Sequence, residues 1–343
     1  MRHSRNNLFI IYILMFKKVF LLTLVFLALI AFIAWNQDRN PEKDTNYNQA
    51  DRVEIVTTLF PWYDLARQIG GDKVAVSLLL SPGLDPHSFE PRPQDMLNIK
   101  EADLFVYTSE EMEPWSLDLL SQKEENKILE ISAGLNTIER PDIDEHKEDS
   151  HDEADEYHED EHGHEGFDPH VWLDPLLMKE MALRLTEKLI AIDGNNEDYY
   201  RQRLSDYQES LNELDQAFQT TLANCANNTL VYAGHNAFSY LVQRYNLSYL
   251  AAQGFSPNAE STPTQLAQMS NSLKEQGLRY LYVDKMENQQ LAAAVAQEAG
   301  VGILSLKTAA NIAREDLEAN LSYQDIMRQN LEQLRIGLQC QTY

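Results

Sequence analysis

The stretch that decides the fold is VEIVTTLFPWYDLARQIGGDKVAVSLLLSPGLDPHSFEPRPQDMLNIKEADLFVYTS, residues 53–109. Its branched apolar runs VEIVTT, KVAVSLLL and LFVYTS are typical of β-strands. The segments WYDLARQIGG and MLNIKEAD separate these runs and are predicted to be helical, the first ending on a glycine pair. Strands that alternate with helices predict parallel α/β units rather than a sandwich.

The second half of the chain repeats this alternation. TLVYAGHNAF is predicted to form a strand and its following loop. SYLVQRY and QQLAAAVAQEAG are predicted to be helices, and LRYLYVD and GILSL are predicted to be strands. Further helices are predicted at about 176–192 and, at the end of the chain, at about 323–338.

A longer run with a helical period lies between the halves. Apolar residues recur there at spacings of four and three: Tyr200, Leu204, Tyr207, Leu211, Leu214, Phe218 and Leu222. One apolar stripe over about six turns suits a rigid connector, although an ordinary surface helix has the same period. The predicted fold is α/β, with two parallel-sheet lobes at 51–194 and 225–343 and one long helix at 195–224. A cleft between two lobes is the usual place for a ligand.

The N-terminal segment is predicted to direct export. Lys17 and Lys18 precede the uncharged apolar run VFLLTLVFLALIAFIAW, which is long enough for a short membrane span. Residues 1–50 are interpreted as a signal peptide or an N-terminal membrane anchor plus a linker; both remain open, because the residues before Trp35 form a poor cleavage site. Either places the remaining chain in the periplasm or on the outer face of the cytoplasmic membrane. In that oxidising compartment Cys225 and Cys340 could form a disulfide, the alternative being two free thiols.

Charge restricts the possible partners. The 54 acidic and 28 basic residues give a formal net charge of −26, which argues against nucleic acid and favours cations. An acidic insertion at 139–166 holds five of the nine histidines, namely His146, His151, His158, His162 and His164. It has almost no large apolar residues, so we expect a disordered loop that collects metal as an auxiliary site.

Three histidines outside that insertion share a context. His87 lies in GLDPHSF, His170 in FDPHVWLDP and His235 in YAGHNAF, each on a loop or element edge beside apolar structure. Three imidazoles from separate elements form a recurring zinc arrangement, whereas any single one is more often an unrelated loop histidine. The tripeptide D-P-H, used twice, favours a ligand set.

The sequence resembles the metal-binding solute-binding proteins of ABC importers, the zinc/manganese cluster, and specifically their zinc-selective branch. The resemblance covers nearly the whole chain after Asp51, in matching order and spacing. Its main segments are 59–107, 167–175 and 234–247, with weaker support from 254–269 and 323–334.

The resemblance implies that His87 and His170 of the first lobe and His235 of the second bind one metal ion in the cleft. Manganese members carry Glu where His235 stands, so the third imidazole favours Zn²⁺, with manganese as the alternative. Zinc members often carry a His- and acid-rich loop where residues 139–166 lie.

The fourth ligand is left open by this resemblance. Many members supply a carboxylate from the loop after the last strand, but here the corresponding position falls near Ala313 in LKTAANIARED. A water molecule, Glu315 or Asp316, or a histidine of the insertion remain candidates. Glu260 and Asp284 are candidates to orient an imidazole through its second nitrogen, or are caps and solvated acids. They are not counted as ligands.

The function implied is extracytoplasmic, high-affinity capture of Zn²⁺ and its delivery to an ABC transporter permease in the cytoplasmic membrane. The protein is then expected to be a monomer and not an enzyme. An exported zinc-dependent hydrolase is the first alternative, although the sequence contains no GxSxG motif and its HExxH match, HEDEH at residues 158–162, lies in the acidic insertion. An extracellular metal buffer or adhesin, with the acidic insertion as its working part, is the second.

Overall fold

The computed structural model describes residues 52–116, 123–139, 166–254 and 261–341. The N-terminal segment 1–50, the five histidines of the acidic insertion and Glu260 lie outside the described residues. None of the helices within these ranges has both the length and the apolarity that crossing a membrane demands.

The first half of the described chain contains a parallel sheet of four strands. Its elements in chain order are β1 (Val53–Thr57), α1 (Phe60–Gly70), β2 (Val74–Leu78), α2 (Pro93–Glu101), β3 (Leu104–Tyr107) and β4 (Ile128–Glu130). The strand order is β2-β1-β3-β4, and every neighbouring pair is parallel. Two helices follow, α3 (Pro175–Ile192) and α4 (Glu197–Leu222).

The second half contains a second four-stranded sheet of the same topology. Its elements are β5 (Thr229–Tyr232), α5 (Ser239–Arg244), β6 (Ser248–Ala251), α6 (Pro263–Glu275), β7 (Tyr280–Val283), α7 (Gln289–Ala299), β8 (Gly302–Ser305), α8 (Arg314–Glu318) and α9 (Tyr323–Gly337). The order β6-β5-β7-β8 is again wholly parallel. Two α/β lobes with parallel sheets, as predicted from the sequence, are confirmed.

Helix α4 is the helical link between the two sheets. All seven apolar residues of the predicted stripe are buried along it. Because this stripe faces α1 and α3 of the first lobe and α9 of the second, one helix packs against both lobes. The predicted boundaries remain predictions: the first lobe ending at residue 194, the connecting helix at 195–224 and the second lobe beginning at residue 225.

The two cysteines are joined across the end of this link. Cys225 follows α4, Cys340 follows α9, and their sulfur atoms are bonded. Backbone hydrogen bonds flank the bond on both sides, from Ala226 N–H to the Gln339 carbonyl and from Gln341 N–H to the Asn224 carbonyl. The predicted disulfide is therefore present.

The strand order fixes where a ligand site can form. In each sheet the chain order reverses between neighbouring central strands, β1 and β3 in one and β5 and β7 in the other. The loops at the carboxyl ends of such strands leave a crevice, the usual binding position in open α/β sheets.

Candidate metal centre

Three imidazoles converge at the carboxyl ends of the strands. His87, His170 and His235 each offer a ring nitrogen within 4.8 Å of those of the other two. The ring centroids are 5.6 Å apart for His87 with either partner and 5.2 Å apart for His170 with His235. His170 is fully buried, His235 is 7% exposed and His87 is partly buried. The structure therefore brings together His87, His170 and His235, the three histidines whose shared context was noted in the sequence.

The repeated D-P-H tripeptide forms the same turn at two of the three positions. Asp85 accepts a hydrogen bond from the backbone N–H of His87 at 3.2 Å, and Asp168 accepts one from the N–H of His170 at 3.0 Å. An aspartate that bonds the backbone two residues on, with a proline between, makes a rigid turn. The tripeptide thus fixes the backbone from which each imidazole projects.

Two of the imidazoles are held by carboxylates on the side away from the cluster. Oδ1 of Asp168 lies 2.7 Å from Nδ1 of His170, and Oε1 of Glu287 lies 2.5 Å from Nδ1 of His235. A neutral imidazole has a single N–H, and a carboxylate acceptor draws that hydrogen to Nδ1. Each Nε2 is then an unprotonated donor of a lone pair, the form that binds a metal.

The spacing of the Nε2 atoms suits a shared zinc ion. His170 Nε2 and His235 Nε2 lie 3.2 Å apart. With zinc–nitrogen bonds of about 2.05 Å, this separation corresponds to an N–Zn–N angle of about 103°, close to tetrahedral. In the tautomer that the two carboxylates favour, the lone pairs face each other, and a cation between them converts that repulsion into binding.

Strand order explains why His235 meets Glu287. His235 follows β5 and Glu287 follows β7, and the two strands pair in parallel, Tyr232 lying opposite Tyr282. Carboxyl ends of neighbouring parallel strands open onto the same edge of a sheet. Residues that are 52 positions apart in the chain therefore reach one another directly.

Hydrogen bonds beside the three imidazoles join the two lobes. The indole Nε1 of Trp172 donates to the Thr308 carbonyl at 2.8 Å, and the backbone N–H of Phe60 donates to the Ala310 carbonyl at 3.1 Å. The Trp172 ring also lies 5.4 Å from the His170 ring, measured between centroids. The loop after β8 is thus bonded to the first lobe beside the imidazoles.

The acids considered from the sequence take other positions. Asp284 accepts from the backbone N–H groups of Thr308 and Met286, at 2.8 and 3.1 Å, and burial raises the pKa of its carboxyl. Glu315 lines a neighbouring cavity, and Asp316 pairs with Lys307 at 2.6 Å. Among the residues that the structure describes, the three histidines form the cluster whose ligand atoms lie close enough together to hold one metal ion.

Sequence reasoning did not single out Asp168 or Glu287, the two carboxylates that contact the imidazoles. Asp168 was visible as the first residue of its D-P-H tripeptide. Glu287 had a weaker signal, an acid three residues beyond the predicted strand LRYLYVD. Its assignment needs the pairing of β5 with β7, which the sequence alone does not give.

Two parallel-sheet α/β lobes, one helical link and a buried cluster of three imidazoles define a metal-binding solute-binding protein. The family model "Zinc-uptake complex component A periplasmic" (ZnuA) matches residues 55–337. The chain belongs to that family.

Curated relatives and solved structures agree with this assignment. The chain is 32% identical over 329 residues to the high-affinity zinc uptake system protein ZnuA of Bacillus subtilis, covering 94% of this chain and 99% of that protein. It is 33% identical over 292 residues to the zinc-binding lipoprotein AdcA of Streptococcus pneumoniae, covering 85% of this chain but 57% of AdcA. The crystal structure of the Zn(II)-bound ZnuA-like domain of S. pneumoniae AdcA superimposes with a TM-score of 0.68 at 29% identity, covering 84% of this chain and 99% of that domain.

Proposed function

We propose that this chain captures Zn²⁺ outside the cytoplasm and delivers it to the permease of an ABC transporter. The observation that carries the proposal is the pair of Nε2 atoms, 3.2 Å apart on His170 and His235, each imidazole held at Nδ1 by a carboxylate. His87 supplies the third nitrogen. Zinc is thus the cargo of the protein, held between the lobes until transfer.

The ligand chemistry favours zinc over manganese. Three imidazoles suit a borderline-soft cation, whereas manganese sites are typically richer in oxygen ligands. Three protein ligands also leave one tetrahedral position for water or an incoming group. Such a position gives an acceptor site on the permease a place to bind before the imidazoles release the ion.

The geometry gives a hydrolase less support. A zinc hydrolase needs a base beside the metal-bound water. Asp168 and Glu287 contact imidazole Nδ1 atoms, on the side of each ring away from the partner imidazole. An enzyme of this kind is tested by screening the zinc-loaded protein against peptide, ester and phosphate substrates; we expect no turnover.

The decisive experiment measures zinc binding with the acidic insertion deleted, so that its five histidines do not contribute. We expect the deletion protein to bind one Zn²⁺ tightly in a competition titration against a chelator. His87→Ala, His170→Ala and His235→Ala should each weaken binding severely, while Asn212→Ala, an exposed change on α4, should leave binding unchanged. Unchanged stoichiometric binding in all three histidine variants would remove the proposal.

The role of the insertion is tested separately. We expect the histidine and carboxylate side chains of the insertion to bind zinc weakly and reversibly, so its deletion should slow zinc uptake by cells only when zinc is scarce. Loss of zinc-dependent growth at ample zinc would instead make the insertion the working part, as the metal-buffer alternative requires.

Export, association with a permease and a monomeric state belong to the same proposal. The apolar run in residues 19–35, with its preceding lysines, supports export. Crosslinking in membranes that contain the transporter tests the partner, and light scattering of the purified protein tests the monomer.

A further inference from the structure

The lobe that carries His235 presents a carboxylate to the site from an unexpected loop. The loop after β8 contributes Thr308, Ala310 and Asn311 to the cavity that holds His87 and His235, and none of these is an acid. Glu287, in the loop after β7, lines the same cavity. The two acids of the second lobe that line this cavity, Asp284 and Glu287, both lie in the β7–α7 loop, and Glu287 is the one that contacts an imidazole.

The backbone around Glu287 is fixed on both sides. Its own N–H donates to the Asp284 carbonyl at 3.0 Å, and its carbonyl accepts from Nε2 of Gln289 at 3.1 Å. The side chain of Asn288 accepts from the N–H groups that begin α7. A loop anchored in this way holds the carboxylate in place before any metal arrives.

A glycine makes room for this carboxylate. A Cβ added to Gly234 would lie 2.8 Å from Cδ and 2.9 Å from Oε1 of Glu287, and 2.6 Å from the Tyr232 ring. Contacts this short are essentially never made by a real Cβ, so a larger residue at 234 would force the Glu287 carboxylate and the Tyr232 ring, or the backbone, to move. The lack of a side chain at Gly234, the residue before His235, thus leaves the space that the Glu287 carboxylate occupies.

The charges around the imidazoles balance a divalent ion. Zinc with three neutral imidazoles carries a charge of +2. Asp168 is fully buried and the Glu287 side chain is 11% exposed, and each is one hydrogen bond from an imidazole of the cluster. The two carboxylates in contact with imidazoles offset this charge, which matters because a net charge in a buried site is costly.

We propose that Glu287 is the positioning residue of the second lobe: it fixes the tautomer and orientation of His235 and compensates one charge of the bound ion. It does so from the β7–α7 loop. The proposal rests on zinc binding by the three histidines, as set out above.

The test compares Glu287→Ala, Glu287→Gln and Glu298→Gln. Glu298 is an exposed acid on the adjoining helix α7, 3.7 Å from Lys274, and is the matched control. Zinc affinity is measured by chelator competition with the acidic insertion deleted. The tautomer of His235 is read from imidazole ¹⁵N shifts in the zinc-free protein, assigned by comparison with His235→Ala.

We expect Glu287→Ala to lose about 10- to 100-fold in zinc affinity, the usual cost of removing a group that orients a metal-bound histidine. Its His235 should also lose the fixed Nδ1–H tautomer. In Glu287→Gln the amide oxygen still accepts from Nδ1–H, so the tautomer should persist while affinity falls by a smaller factor from the missing charge. Glu298→Gln should match the unmodified protein.

Two results would overturn the inference: Glu287→Ala and Glu287→Gln binding zinc within twofold of the control, or affinity loss with an unchanged His235 tautomer in Glu287→Ala. Should Glu287→Ala fail to fold, Glu287→Gln decides alone: its affinity must fall while its tautomer persists. Failure of the unmodified protein to bind zinc would instead remove the proposed function, and this inference with it.

Discussion

Asn311 holds Leu84 across the interlobe cleft: the side-chain Nδ2 of Asn311 lies 2.5 Å from the backbone carbonyl oxygen of Leu84. The same nitrogen lies 3.1 Å from the Ser81 carbonyl oxygen. Both carbonyls belong to the loop that contains His87, between β2 and α2, and Asn311 belongs to the loop after β8. One amide from the second lobe therefore fixes the loop that carries a candidate zinc ligand of the first.

Asn311→Ala removes both bonds and leaves the His87 loop less ordered. Each net hydrogen bond contributes about 0.5–1.5 kcal/mol, so we expect roughly a tenfold loss in zinc affinity and faster release. Chelator competition and stopped-flow release measure these two quantities. Asn212→Ala on α4 should change neither, and release at the unmodified rate from Asn311→Ala would contradict the expectation.

Much of the fold was predictable because local pattern and tertiary packing agree. The seven-residue stripe of α4 is buried throughout, since a period that favours one helical face also supplies the face that packs. Strand β6 (Ser248–Ala251) was not predicted, because a four-residue strand at the end of the sheet order carries little apolar pattern. Helix α6 was also missed: among its 13 residues it buries Met269, Ser270 and Leu273.

The candidate site was likewise predictable where its signal is local, and not where it depends on tertiary structure. His87 and His170 could be chosen because D-P-H is a local signal whose turn forms within three residues. The bond between Glu287 and His235 depends on which strands are neighbours, and strand order is a property of the whole sheet. The pairing of Asn311 with Leu84 crosses 227 residues and has no local signal.

Glu113 is expected to be a main support of the first lobe. Its carboxylate is 1% exposed and accepts from the hydroxyls of Thr58 and Thr108 and from the backbone N–H groups of Thr108 and Ser109. Glu113→Ala leaves these donors buried without an acceptor, and we expect the free energy of unfolding to fall by roughly 2–5 kcal/mol.

Urea unfolding at pH 8 measures this loss. Burial raises the pKa of Glu113 to about 7, so the carboxylate is mostly ionised under those conditions. Glu110→Ala, at an exposed position in the same loop, is the matched control and should change stability by less than about 0.5 kcal/mol. Equal stability of the two variants would show that the Glu113 hydrogen bonds do not support the lobe.

Asp64 is expected to make stability depend on pH. Its carboxylate is 2% exposed and accepts from the backbone N–H of Tyr323, at the start of α9, at 2.9 Å. Burial raises its pKa from 3.8 to about 6. A raised acid pKa favours the protonated folded form, so this contribution is complete below pH 3.8 and is lost as pH rises to about 6.

Asp64→Asn keeps an oxygen for the Tyr323 N–H but cannot ionise. The free energy of unfolding of the variant minus that of the unmodified protein should therefore rise by roughly 3 kcal/mol between about pH 4 and pH 7, then level off. Asp325→Asn is a control of opposite sign, because hydrogen bonds from Ser322 lower the pKa of Asp325. Urea unfolding of zinc-free protein gives both profiles, and parallel profiles for the two variants would refute this role for Asp64.

The Cys225–Cys340 disulfide is expected to stabilise the fold without setting zinc affinity. It joins residues 115 positions apart, and a bridge that closes so long a loop typically contributes about 2–4 kcal/mol. Cys225 precedes β5, whereas His235 follows the opposite end of that strand. Replacing both cysteines by serine should thus lower the free energy of unfolding by about that amount and change zinc affinity by less than about twofold.

Urea unfolding with and without a reductant separates the bridge from other effects of the substitutions. Reductant should destabilise the unmodified protein to the level of the double serine variant and leave that variant unchanged. If the serine variant lost zinc affinity at 25 °C while remaining folded, the bridge would have to act on the imidazole cluster through α4 and α9. That result would contradict the separation of the two ends of β5 on which this expectation depends.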